Sequence, residues 1–219
     1  GSPAARLDAL RAWMAAHGLE AFFLPHGDAF QNEFLPAAAE RLAWLTGFTG
    51  SAGEAVILGH QASLFIDGRY TLQAAAQVDP RLFTCRHLVD EPTARWLETA
   101  LTSGDRLGYD PWQVTPDARD RLRRACEARG AALVACPDNP IDRLWHGRPA
   151  LPSEPLRPHA LTWAGRDSAA KRGDIAALLQ ARGQAAAVLA APDSVAWLLN
   201  LRGTDVPHTP LALVRAVID

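Results

Sequence analysis

The sequence predicts an α/β fold: a mixed, mostly parallel sheet flanked by helices, followed by a truncated second domain of similar type. Three observations carry this. Short apolar runs alternate with amphipathic stretches of helical length up to residue 135, the pattern of a layered α/β domain. Two of those runs, Ala55–Leu58 and Ser63–Asp67, are separated by Gly59-His60-Gln61-Ala62, a hairpin spacing that places an antiparallel pair in the sheet. The opening pattern then restarts near residue 168. With 219 residues, 48% hydrophobic and 21% charged, the chain has ample apolar content for a core, which excludes bulk disorder.

Leu7, Leu10, Trp13 and Met14 lie on one face of a helix over 6–17, and Gly18 is placed to end it. Ala21–Leu24 reads as a buried strand before Pro25, followed by a polar loop over 25–37. Arg41–Thr46 is a short helix stopped by Gly47. After the hairpin, Asp67-Gly68 breaks the pattern and Tyr70–Gln77 turns helical as far as Asp79-Pro80. A strand (82–88), a helix (93–101), a strand ending at Gly108-Tyr109, a helix (116–129) and a strand (132–135) complete the first unit. Prolines at 137, 140, 149, 152, 155 and 158 mark 139–158 as an interdomain connector, because they remove backbone donors and break periodicity. A helix over 168–182, Gly183, a strand over 185–190 and a helix under Asp193-Ser194 repeat the opening order. The expected domains are 4–155 and an incomplete 160–219.

Net charge is −2, which offers no footprint for nucleic acid or an anionic membrane. No run approaches the ~20 apolar residues of a membrane span. Of the 22 basic residues only Lys171 is a lysine. Cys85, Cys126 and Cys136 form an odd set without a CxxC, so buried free thiols and a cytoplasmic setting are expected. The seven histidines include no HExxH, and no metal site is expected in this chain. His208, flanked by Pro207 and Pro210, is the one histidine kept as a candidate contact residue.

Gly47-Phe48-Thr49-Gly50-Ser51-Ala52-Gly53 has GxxGxxG spacing and follows a helix, the reverse of a phosphate loop, so it reads as a turn that brings backbone close to something. Thr49 stands where a nucleophile elbow needs glycine, which removes Ser51 as a nucleophile. The stretch Asp117–Arg124 is a solvated charged face. Asp67-Gly68-Arg69-Tyr70 is the most pointed feature. It lies where a strand ends and a helix begins, the place where α/β sheets present side chains to ligands. Arg69 offers a planar fork for a carboxylate or carbonyl oxygen, and the plain alternative is a helix-start arginine paired with Asp67.

The string from Arg41 to Gly53, followed by Leu64-Phe65-Ile66-Asp67-Gly68-Arg69-Tyr70-Thr71-Leu72-Gln73, resembles the N-terminal domain of Xaa-Pro aminopeptidases, within the creatinase/prolidase N-terminal family. Ala191–Gly203 with Asp205-Val206-Pro207-His208 resembles the start of the second domain in the long, three-domain form. In that family a C-terminal pita-bread domain binds two divalent metals, usually manganese, through two Asp, one His and two Glu. It cleaves the bond between an N-terminal residue and a following proline. The resemblance therefore implies a non-catalytic N-terminal portion, inactive alone, with no catalytic residue, metal ligand or cofactor of its own. It implies that Arg69 contacts bound peptide, that the domains cap the cleft, and that the partners are short peptides with proline second. Relatives carry His and Tyr where this loop has Phe30 and Phe34, which implies an apolar wall there. Two other readings are a stand-alone interaction module and the N-domain of a prolidase, and the second block argues against the latter. Apolar faces at Ile175, Leu178, Leu179, Trp197 and Leu198 lack cover, so a homo-oligomer formed through 170–219 is expected.

Overall fold

The computed structural model describes every residue from Gly1 to Asp219. It contains two compact units, residues 1–29 with 39–149, and residues 30–38 with 150–219. No helix is long and apolar enough to cross a membrane.

The first unit opens with α1 (Pro3–Ala16), which starts ahead of its apolar periodicity because Ser2 accepts from the Ala5 N–H and Pro3 occupies the first turn. Next come β1 (Ala21–Pro25), α2 (Arg41–Thr46), β2 (Gly53–Leu58) and β3 (Ala62–Ile66). The hairpin loop is residues 59–61, since Ala62 already pairs with Ile57. A 3₁₀ turn over Gly68–Tyr70 leads into α3 (Thr71–Gln77), then β4 (Thr84–His87) and α4 (Thr93–Ala100). β5 (Arg106–Tyr109), α5 (Pro116–Glu127), β6 (Ala132–Ala135) and α6 (Pro140–Leu144) follow.

The sheet order is β4-β3-β2-β1-β5-β6. β2 runs antiparallel to both of its neighbours, while β3/β4, β1/β5 and β5/β6 pair in parallel. The carboxyl ends of five strands therefore share one edge with the start of β2. Both faces are covered, which is why the strands read as continuous apolar runs. Leu7, Leu10, Phe22, Phe48, Leu64 and Ile141 pack on one face, and Phe23, Val56, Phe65, Trp96 and Leu122 on the other.

The proline-dense stretch is not connector throughout. Asn139 caps α6, Pro140 sits at its first position, and Ile141 is fully buried. Proline suits a first turn, where its missing N–H would have no partner anyway. The first unit runs on to Pro149. Cys126 and Cys136 are buried as expected, but Cys85 is exposed, because edge strand β4 has no neighbour on its outer side.

The second unit contains β7 (Arg157–Pro158), α7 (Leu161–Ala164), α8 (Ser168–Ala181), β8 (Ala187–Leu189), α9 (Pro192–Leu199), β9 (Leu201–Arg202) and β10 (Ala216–Ile218). Its strands form two antiparallel pairs, β8/β10 and β7/β9. Gly18 and Gly183 both take φ +64° after their helices, so the helix–glycine–strand order recurs in backbone conformation. Lys171 is only 3% exposed, and its Nζ donates to the Trp197 carbonyl at 2.8 Å and to Asn200 Oδ1 at 2.7 Å, pinning α8 to α9. Leu178 and Trp197 are 46% and 54% exposed, whereas Leu179 and Leu198 are buried. Residues 30–38 belong to this unit, where the Arg215 guanidinium lies 4.2 Å from the Phe30 ring centre and Phe34 is half exposed.

Candidate functional site

The glycine-rich loop and the Asp-Gly-Arg-Tyr turn, read separately in the sequence, meet at the carboxyl edge of the sheet. Gly47 ends α2 at φ +84°, and Phe48 turns into the core. The loop then folds back over that ring: a Cβ on Gly50 would stand 2.3 Å from Phe48 Cζ, and one on Gly53 would stand 3.1 Å from Phe48 Cε1. These two glycines make room for an aromatic ring. Helix α3 clamps the loop, since the Thr49 N–H donates to Gln77 Oε1 at 3.0 Å, while Gln77 Nε2 and Gln73 Nε2 donate to Thr49 Oγ1 at 2.8 and 3.0 Å. Two residues further along, Ser51 Oγ and the Tyr70 hydroxyl are 2.8 Å apart.

Asp67 Oδ1 accepts from both the backbone N–H and the Nε of Arg69, at 2.9 and 2.8 Å. Those bonds hold the Asp67 carboxyl below its usual range, with smaller help from the Arg69 and His87 charges. The Arg69 guanidinium also lies 5.4 Å from the Tyr70 ring centre, and Tyr70 meets Phe48 edge-on at 5.6 Å. Arg69 thus pairs with Asp67, yet its side chain is 66% exposed. An exposed pair of this kind contributes little to stability, so a ligand carboxylate can compete for the guanidinium at small cost.

His87, one of the seven histidines and not singled out in the sequence, lies beside this turn. Its Nδ1 accepts from the Val89 and Asp90 N–H groups at 3.3 and 3.4 Å. Its Nε2 lies so close to Gly68 that a Cβ there would stand 2.7 Å away. His208, in the second unit, is exposed at φ +58° in a turn closed by a bridge between Val206 and Thr209.

The order of strand addition reverses between the parallel neighbours β1 and β5, and such a switch point is where open α/β sheets usually take ligands. Here the protein fills it with buried amides. Asn139 Nδ2 donates to Asp110 Oδ2 at 2.9 Å and to Gln113 Oε1 at 2.8 Å, and Gln113 Nε2 donates to the Gly27 carbonyl at 2.9 Å. Nothing in sequence singled out this network, whose members lie 26 to 86 residues apart. No group of three or more His, Cys, Asp or Glu side chains is placed to hold a metal ion.

Glu54, at the start of β2, has its pKa raised by burial, an effect that Thr93 and the Arg121 charge only partly offset. Glu40 is raised in the same way, with His26 pulling it back. A carboxyl whose folded pKa lies above its unfolded one stabilises below the unfolded value and loses that contribution as pH rises through the folded value. Glu54→Gln is therefore expected to raise the melting temperature by a few degrees near pH 7.5 and to give no gain near pH 4. Melts of both proteins across that range check it, and a gain that persists in acid would contradict the burial argument.

A family model described as the creatinase/prolidase N-terminal domain matches residues 6–144, and a second of the same description matches 147–219. Aminopeptidase P2 of Arabidopsis thaliana is 37% identical over 206 residues, covering 92% of this chain and 29% of that protein. A probable Xaa-Pro aminopeptidase P of Penicillium rubens is 35% identical over 216 residues, covering 97% of this chain and 35% of its own length. The chain thus spans about a third of the length of the curated relatives it matches. Among solved structures, the X-prolyl aminopeptidase of Caenorhabditis elegans, a cytosolic enzyme with a di-nuclear active site, matches with TM-score 0.91 at 30% identity. That match covers 100% of this chain and 38% of the nematode enzyme. The N-terminal domain of the cytoplasmic peptidase PepQ from Mycobacterium tuberculosis H37Rv matches 64% of this chain at 31% identity and TM-score 0.50, with 98% of that domain covered. The chain belongs to the creatinase/prolidase N-terminal domain family.

Proposed function

We propose that this chain is the non-catalytic N-terminal portion of a metal-dependent Xaa-Pro aminopeptidase, which removes an N-terminal residue that precedes proline. In this reading it caps the active-site cleft, restricts it to short peptides and contributes Arg69 as a peptide contact, with His208 as a further one. The observation that carries it is the convergence of two motif blocks on one exposed guanidinium, held by Asp67 and Tyr70 at the carboxyl edge of the sheet. The relatives named as aminopeptidases P support the reaction class. The two divalent metals, taken to be manganese, and the water they activate are assigned to the part of the aminopeptidase P relatives that this chain does not span. A cytoplasmic location follows the described setting of the nematode enzyme. Exposed Leu178, Val188, Trp197 and Val217 support a part in oligomerisation through the second unit.

The test is Arg69→Ala in the enzyme that contains this chain. A charge-assisted hydrogen bond is worth ~1.5–3 kcal/mol, so KM for a short Xaa-Pro peptide should rise about tenfold or more. The melting temperature should stay unchanged, because the Asp67 pair is exposed. Unaltered peptide kinetics would remove the assigned role.

A further inference from the structure

We propose that the Ser51–Tyr70 hydroxyl pair is a latch that fixes the Arg69 guanidinium in its presenting position, which makes Tyr70 and Ser51 positioning residues for the ligand that Arg69 receives. The consequence for peptide binding rests on the function proposed above; the ordering of Arg69 does not.

A long, exposed arginine normally samples many rotamers, and immobilising it on binding costs affinity. Arg69 is held from two sides before any ligand arrives. Asp67 Oδ1 fixes its Nε, and the Tyr70 ring lies along the guanidinium at 5.4 Å. That ring can serve as a platform only if it is itself immobile. Phe48, buried in the core, meets it edge-on at 5.6 Å, and the hydroxyl at its far end bonds Ser51 Oγ at 2.8 Å. Ser51 in turn sits on a loop clamped through Thr49 by Gln73 and Gln77. Phenylalanine would fill the space of the Tyr70 ring equally well. The hydroxyl adds one thing, a bond across to the other motif block. Serine at 51, unsuited to nucleophilic attack in this setting, supplies the partner. Removing either hydroxyl leaves the platform packed on one side only, and the guanidinium gains freedom that a ligand must then remove.

Two measurements test this. In this chain labelled with ¹⁵N-arginine, the Nε–H group of Arg69 should show restricted motion by NMR relaxation. Tyr70→Phe and Ser51→Ala should each loosen it while leaving the melting temperature in place. Equal order in wild type and both variants overturns the latch, whatever the kinetics show. In the enzyme that contains this chain, Tyr70→Phe should raise KM for a short Xaa-Pro peptide about threefold with kcat held within twofold. In an Arg69→Ala background the same substitution should have no further effect. An equal KM increase with and without Arg69 would show that Tyr70 acts structurally and also overturns the proposal. If Arg69→Ala alone leaves KM unchanged while Tyr70→Phe still loosens the guanidinium, the latch stands and the peptide role falls.

Discussion

Asn139→Ala should lower the unfolding free energy of the first unit by ~3–4 kcal/mol, against ~5–15 kcal/mol for a typical domain. The side chain makes three bonds at once. It caps α6 through Oδ1 to the Ile141 N–H at 2.9 Å, and spends both Nδ2 hydrogens on Asp110 and Gln113. Losing the cap costs ~1 kcal/mol. Leaving the buried Asp110 and Gln113 oxygens without their donor costs ~1–3 kcal/mol each, with the terms less than additive. Urea unfolding followed by tryptophan fluorescence measures it, and a loss below about 1 kcal/mol would mean that water or neighbouring groups replace the amide. Asn139→Asp sharpens the test. It keeps the capping oxygen but turns the donor into an acceptor facing the Asp110 carboxylate. Two carboxylates so placed share a proton, so the pair's pKa rises. This variant should be most impaired at neutral pH and recover part of its stability on acidification, whereas the alanine variant should show no such recovery.

How much of this was legible in sequence depends on the range over which each feature is determined. Helix α2 and strand β6 fall where local pattern places them, because Gly47 stops the first and a short apolar run defines the second. The start of α1 was obscured because its signal is Ser2-Pro3, two capping residues outside the apolar period. Helix α6 was hidden for a related reason: Pro140 reads as a breaker unless Asn139 before it is recognised as a cap. Arg69 could be found locally, from a strand end followed by a helix start. Its support could not, since Ser51 lies 19 residues from Tyr70, and the Thr49 clamp spans 24 and 28 residues. The Asn139 network is more remote still, and polar residues in loops look alike until a fold buries them. The Gly47–Gly53 string reads as a turn that brings backbone close to something, from its order relative to helix and strand. What its backbone approaches, the Phe48 ring, emerged only in three dimensions.

That ring makes Gly50→Ala the other severe substitution, at ~3 kcal/mol of destabilisation. A methyl at residue 50 would stand 2.3 Å from Phe48 Cζ and within 3.0 Å of both Cε atoms, well inside contact distance. Phe48 cannot swing away, because it is buried in a core cluster with Leu42, Leu45 and Leu64. The loop must lift instead. Lifting it carries Ser51 away from Tyr70, so the variant should loosen Arg69 as well as melt early, joining the stability and site arguments in one residue. Gly59→Ala is the matched control, since a Cβ at Gly59 meets nothing within 4 Å, and it should leave both properties unchanged. Shrinking the ring should relieve the clash, so adding Phe48→Leu to Gly50→Ala should cost less than the two changes summed. Calorimetry on the four proteins of that cycle decides the matter. Strict additivity would mean that the glycine serves the loop's own turn and owes nothing to the ring beneath it, and a Gly50→Ala protein that melts with the wild type would mean that the loop accommodates the methyl without cost.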